Sequence, residues 1–388
     1  MTDERYFRNK INLLSFALTI AVIWVHAFNV EYAGNLLTGI NFFAPGQEAL
    51  SAELRMTPEG EFAFFAACIE NIFSELLGQG AVPGFFIISA YLFYRNIGPR
   101  LYPGKLIIKW KRRVRSLLIP YLLWNLLYFL LSFADSGGRL EVSAASLFDA
   151  IVNYRDNPVF WYMKQLIMLT VLAPFVFVAL KNRNPARLFL LLSFLGAAFW
   201  TRIRYHIVNE DALFYYLLGA YFAMHLRQEA ESEHESSLWL KRGVILSFSA
   251  VFLLIINYGI QDGTFFAVEP LFRSELVTGL TVLLRAALPM ALFCFVSLGM
   301  GTYKKRSGRE AALPESLNIC FFVYATHYMV IKAVNRVVEL LFTGPYLNAV
   351  FLMLFFLMPL ICIGTALIIS RMLKRTVPGF WSIINGGR

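Results

Sequence analysis

The chain has 388 residues, of which 58% are hydrophobic, 16% aromatic and only 15% charged, with mean hydropathy +0.59. A water-soluble protein of this length needs far more polar surface, so the composition excludes a soluble globular enzyme and implies a multi-pass membrane protein. The net charge of +10 invites a nucleic-acid partner, but the basic residues lie in short stretches between apolar runs, which argues against that class as well.

The N-terminal "MTDERYFRNK" is too polar to open a cleaved signal peptide, so the first apolar run is expected to be a retained span. A spanning helix takes roughly 20 mostly apolar residues. Ten spans are expected on that measure, over 11–30, 79–94, 116–134, 160–180, 187–201, 211–226, 243–260, 276–300, 316–340 and 347–370. Residues 61–77, "EFAFFAACIENIFSELL", read as an amphipathic helix outside the second span, with Glu61, Glu70 and Glu75 among aromatics. The following "GQGAVPG" is expected to break the chain.

Loop charge sets the orientation. With the N-terminus inside, the inner segments carry 25 Lys and Arg and the outer ones 6. The expected architecture is therefore all-α: a polytopic transmembrane helix bundle of about ten spans, forming one domain over 1–388, with both termini cytoplasmic. It would sit in the inner (cytoplasmic) membrane, with the bilayer as its first partner. Cys68, Cys294, Cys320 and Cys362 show no paired spacing, so neither a disulfide framework nor a metal site is expected.

Ionisable residues inside spans are costly and usually functional. Five stand out: His26, Lys164, Arg285, His327 and Lys332. Lysine and arginine can snorkel towards an interface, whereas imidazole is too short to do so from mid-span. His26 and His327 are therefore the candidates for proton transfer near neutral pH. The stretch "RNIGPRLYPGKLIIKWKRRVR" reads as a cytoplasmic loop with eight basic and no acidic residues. Topology and anionic lipid account for part of that charge. Arg112, Arg113 and Arg115 also suit a polyphosphate. Ser89, inside "AVPGFFIISAYLFY", either bonds its own helix backbone or faces a ligand.

Five motifs occur in order: "VIWVHAF", "VPGFFIISAYLF", "KRRVRSLLIPYLLWN", "FWYMKQLIMLTVLAPFVF" and "CFFVYATHYMVI". Together they resemble the acyltransferase family 3 membrane proteins over essentially the whole chain. The resemblance implies transfer of an acyl group, usually acetyl, from cytoplasmic acyl-CoA to a hydroxyl. The implied acceptor is a carbohydrate: a cell-surface glycan, a glycolipid or a lipid-linked sugar. It makes His26 the catalytic histidine. It also aligns Phe85, Phe86 and Ser89 with a Phe-Phe-x-x-Ser-Gly motif in which Ala90 replaces glycine. Arg113 and Arg115 match a basic pair ahead of Pro120 and Tyr121. Trp161, Tyr162 and Lys164 match a third motif, and Tyr324 and His327 a fourth. One position departs from the pattern. The family carries Arg or Lys eleven residues before the first-span histidine, and here that residue is Ser15. Arg8 and Lys10 are the nearest replacements.

The expected mechanism has His26 as general base, with His327 or Lys164 stabilising the oxyanion or orienting the acceptor. Arg112, Arg113 and Arg115 would hold the phosphates of acetyl-CoA. Ser89, Trp161, Tyr162 and Lys164 would contact substrate, and no metal is needed. A transporter or flippase, and a membrane scaffold with altered catalysis, are the competing classes.

Overall fold

In the computed structural model, residues 2–32, 35–37, 47–98, 100–139, 142–199, 208–231, 236–262, 270–308, 313, 317, 319–342 and 346–387 are described. Helices dominate among them. The one β feature is a two-residue bridge, Glu31–Tyr32 pairing with Asn35–Leu36.

Helix α1 (Thr2–Ala27) runs through the middle of the bundle and packs on α4 (Ala81–Tyr94), α14 (Pro270–Ser307), α15 (Cys320–Leu341) and α16 (Leu347–Thr376). Its central apolar residues Leu14, Leu18, Val22 and Ile23 are buried accordingly. Among the described residues, six helical columns are long and apolar enough to cross a membrane: Glu4–Ala27, Pro58–Tyr94, Pro103–Asp135, Ser237–Gln261, Phe272–Ser307 and Leu347–Thr376. A pair bent by 64°, Pro158–Val171 and Ala173–Leu180, would add a seventh. Pro174 stands in the first turn after that bend, where its ring removes a backbone donor. The remaining expected spans are also helical. They are α10 (Arg183–Phe199), α11 (Glu210–His225) and α15, of 17, 16 and 22 residues.

Two expectations are corrected. Residues 61–77 do not form a separate surface helix, because α3 (Pro58–Asn71) continues without a break into α4. A π turn over Ile72–Leu77 and a 3-10 turn over Gly78–Gly80 join them. The residues flanking those turns keep helical backbone angles, and Pro83 lies just beyond them as the third residue of α4. Glu70 is fully buried and accepts the Asn29 backbone N–H at 3.3 Å, so it does not belong to a solvated face. The second correction concerns the basic stretch. It is not simply a loop: α5 (Pro103–Arg113) starts on a proline and runs through a π turn at Val114–Leu118 into α6 (Ile119–Asp135).

Helix α11 is apolar nearly all round and lies inside the bundle, with Tyr215, Tyr216, Leu217 and Ala220 almost completely buried. It crosses α4 at Gly219, where a Cβ would meet the Ile87 carbonyl oxygen at 2.2 Å. Only glycine permits that approach.

At one end of the bundle a charged knot ties α1, α4 and α12 (Arg227–Glu231) together. Arg95 donates to both oxygens of Glu4 at 3.0 and 2.9 Å and to both of Glu231 at 3.0 Å. Its guanidinium lies 4.5 Å from the Phe7 ring centroid. Arg227 donates to Glu231 at 3.0 Å and to the Arg95 carbonyl at 2.8 Å, and Tyr91 donates to Glu231 at 2.8 Å. Burial opposes ionisation of Glu231, but hydrogen bonds from Arg95, Tyr91 and Arg227 outweigh it and hold the carboxyl below its usual range.

Two outcomes follow for purified protein in detergent. Gly219→Ala forces α4 and α11 apart at a cost of about 1–3 kcal/mol, which is read as a lower melting temperature. Because the folded carboxyl of Glu231 titrates below its unfolded value, its contribution is present above the ordinary carboxylate range and fades as pH falls through the folded value. Glu231→Gln should therefore melt lower than wild type at pH 7, with the gap closing below about pH 4.

Candidate active site

Three cavities touch α1, and two of them contain the candidate residues. The larger, of about 830 Å³, is lined on the α1 side by Arg8, Asn12 and Ser15. These residues are spaced i, i+4, i+7 and so share a face. From α5 come Lys109, Arg112 and Arg113. They too share one helical face, at i, i+3 and i+4, which is why the helix turns them inward together. Four basic side chains thus meet in this cavity, and among the described residues no acidic one lines it. Arg113 donates to the Ser89 carbonyl at 3.0 Å and, with Lys109, lies over the Phe93 ring. Lys109 also donates to the Phe93 carbonyl. Ser89 and Tyr162 line the cavity as well, and their hydroxyls hydrogen-bond each other at 3.1 Å.

The smaller cavity, of about 210 Å³, contains His26, together with Gln79, Phe86, Trp161, Asp211, Tyr215 and Arg285. Phe86 separates the two, packing on Tyr162 at 4.7 Å and on Trp161 at 6.3 Å. Trp161 and Tyr162 are consecutive on α8 (Trp161–Val171) and therefore point into different chambers. A file of rings links them. His26 lies 5.3 Å from His327, His327 5.9 Å from Tyr324, and Tyr324 5.9 Å from Tyr162. Tyr324 is stacked on Phe160 at 5.6 Å and donates to the Val159 carbonyl.

His327 is fully buried. Its Nδ1 is 2.7 Å from the Tyr324 carbonyl oxygen. A carbonyl only accepts, so Nδ1 carries the proton and Nε2 keeps a free lone pair in the neutral ring. Nε2 has no hydrogen-bond partner. Neutral His327 is thus an acceptor, which suits receiving a proton better than donating to an oxyanion.

The remaining sequence candidates are sorted by helical phase. Arg115 lies outside both cavities, exposed and beside Gly387 in the C-terminal turn. Lys164 also lines neither: it donates to Asn153 at 3.3 Å and lies over Tyr154. Lys332 sits 4.6 Å from the Tyr328 ring, which is 6.0 Å from His26. Lys10 turns away from the basic cavity into a buried cage of Tyr6, Trp239 and Phe293, about 5 Å from each ring. Arg8, not Lys10, shares the cavity with Ser15. Eighteen residues separate Arg8 from His26, which is five full turns, so the two lie on one stripe about 27 Å apart. Sequence reading missed Lys109, because a loop has no phase to place it by. It also missed Asp211, which reads as an ordinary acidic start to a helix.

The acyltransferase-domain family matches residues 8–370, nearly the whole chain. The chain belongs to acyltransferase family 3. No curated protein and no solved structure matches it. As a family 3 acyltransferase it is a multi-pass membrane acyltransferase, and its motif residues Ser89, Trp161, Tyr162, Tyr324 and His327 all converge on the two chambers and the wall between them.

Tyr162→Phe removes one side of the Ser89 hydrogen bond and should cost about 1 kcal/mol of stability. Lys164→Ala, at a half-buried position outside both cavities, should stay within about 0.5 kcal/mol of wild type. Thermal melting of the two variants side by side checks both.

Proposed function

We propose that this acyltransferase moves an acyl group, most simply acetyl, from acyl-CoA to a hydroxyl of a glycan, glycolipid or lipid-linked sugar, with His26 as general base. The observation that carries the reading is the pairing of chambers. A cavity lined by Arg8, Lys109, Arg112 and Arg113 leads by way of Tyr162, Tyr324 and His327 to His26.

CoA carries several phosphate charges at one end and a thin, nearly neutral pantetheine arm at the other. The phosphates suit the four cations, which supply charge-assisted hydrogen bonds. The arm suits the apolar walls of Phe85, Ile88 and Leu166. In this reading the arm passes the Phe86–Tyr162 contact and presents the thioester near His26. The acceptor enters the smaller chamber, against Trp161.

His26 takes the hydroxyl proton as the oxygen attacks the thioester carbonyl. The new C–O bond forms, the tetrahedral oxyanion collapses, the C–S bond breaks, and the thiolate leaves with the proton from His26. No enzyme nucleophile is needed. His327 positions the His26 ring and offers Nε2 as a temporary proton acceptor. The same reading takes about ten crossings with both termini in the cytoplasm of an inner membrane, which puts the cation-lined cavity where acyl-CoA is made.

The test is transfer of label from radiolabelled acetyl-CoA into membrane glycans at matched expression. His26→Ala should lose about 10²–10⁴-fold of the rate. Arg112→Ala with Arg113→Ala should raise the KM for acetyl-CoA at least about tenfold, through loss of two charge-assisted contacts, with a smaller change in kcat. Equal labelling by wild type and His26→Ala would overturn the base assignment. No labelling by folded wild-type protein would overturn acetyl transfer and favour a transporter.

A further inference from the structure

Arg285 shares the smaller chamber with His26, and the proton chemistry above gives it no task. It interrupts the apolar run "LVTGLTVLLRAALPM" of α14. Its Nε is buried and has no hydrogen-bond partner. Among the described residues it has no ion pair.

The neighbouring polar groups each have a protein partner but none pairs with Arg285. Asp211 accepts the Ala212 backbone N–H at 2.7 Å at the start of α11. Gln79 donates its amide to Glu75 at 2.9 Å, and Tyr215 donates to the Val282 carbonyl at 3.2 Å. Arg285 is thus the cation in the chamber, with an Nε–H that meets no acceptor. An intramembrane guanidinium facing a cavity is expensive to keep, and a ligand anion is what repays that expense. The chamber is small, about 210 Å³. It has room for one sugar unit, with the Trp161 face on one side and His26 in reach.

We propose, resting on the acyl-transfer reading, that Arg285 anchors the acceptor and selects an anionic sugar, one whose carboxylate or phosphate pairs with the guanidinium while a hydroxyl of the same unit meets His26. Arginine suits this task because its planar fork grips either anion through two parallel hydrogen bonds, which lysine cannot reproduce. The same chemistry has two sources: the carboxylate of a uronic acid in a glycan, and the phosphate of a lipid-linked sugar.

The experiment uses the purified full chain in lipid nanodiscs with acetyl-CoA and three acceptor probes: methyl glucuronide, glucose 1-phosphate and neutral methyl glucoside. Wild type should acetylate at least one anionic probe with a KM tenfold or more below that for methyl glucoside. Preference for the glucuronide marks a carboxylate acceptor, and preference for the sugar phosphate marks a lipid-linked one. Arg285→Gln should erase the preference by raising the anionic KM tenfold or more while leaving the KM for acetyl-CoA unchanged. Arg285→Lys should restore part of it. Equal KM values for charged and neutral probes in wild type overturn the proposal, whatever the variants do. So does an Arg285→Gln protein that keeps the preference, or one that binds acetyl-CoA normally yet loses every acceptor equally. Wild type that transfers to no probe, and to no glycan in native membranes, overturns the acyl-transfer reading itself and this proposal with it.

Discussion

A charge cannot rest in hydrocarbon without a partner or a wet cavity, and this constraint organises the bundle around α1. That helix carries Arg8 near one end and His26 near the other, on one stripe. A rigid helix fixes the distance between them. In the proposed reading, the donor's phosphates and the base that acts at its far end are thus held about 27 Å apart by backbone geometry alone. The other helices complete what α1 begins. Helix α5 brings three more cations to the Arg8 end, and α8, α14 and α15 bring Trp161, Arg285 and His327 to the His26 end.

Much of this was legible in the sequence. Long apolar runs announced a membrane bundle, and His26 and His327 stood out because hydrocarbon tolerates imidazole poorly. Order and spacing of five motifs were enough to indicate the family. What stayed hidden was rotational. Read as a loop, the basic stretch offered Arg112, Arg113 and Arg115 as equals. Once it is a helix, two of them face inward with Lys109 and the third faces out beside Gly387. Trp161, Tyr162 and Lys164 make the same point: neighbours in a motif serve two chambers and a surface. The glycines of "GQGAVPG" misled for a different reason. Glycine permits a turn but does not require one, and here it lets helical backbone run on at close quarters with α1 and α14.

The departure at Ser15 illustrates how a helix can keep a charge on one face while moving its residue. Moving the basic group from position 15 to position 8 shifts it by seven residues, close to two turns, and keeps it on nearly the same face. Lys10 is nearer in sequence, but two residues rotate it away, and it ends among three aromatic rings. Angular position, rather than proximity in the chain, decides which cation serves the cavity.

The Phe86–Tyr162 contact has a consequence beyond packing. A passage that let an arm of a soluble molecule reach across a bilayer would also conduct protons and ions, dissipating the gradient the cell maintains. In the proposed reading the Phe86 and Tyr162 rings must part to admit the arm and meet again once it leaves. Closed, two apolar rings in contact would offer no path to a hydrated ion. The contact that divides the protein into two rooms would then serve the membrane as electrical insulation.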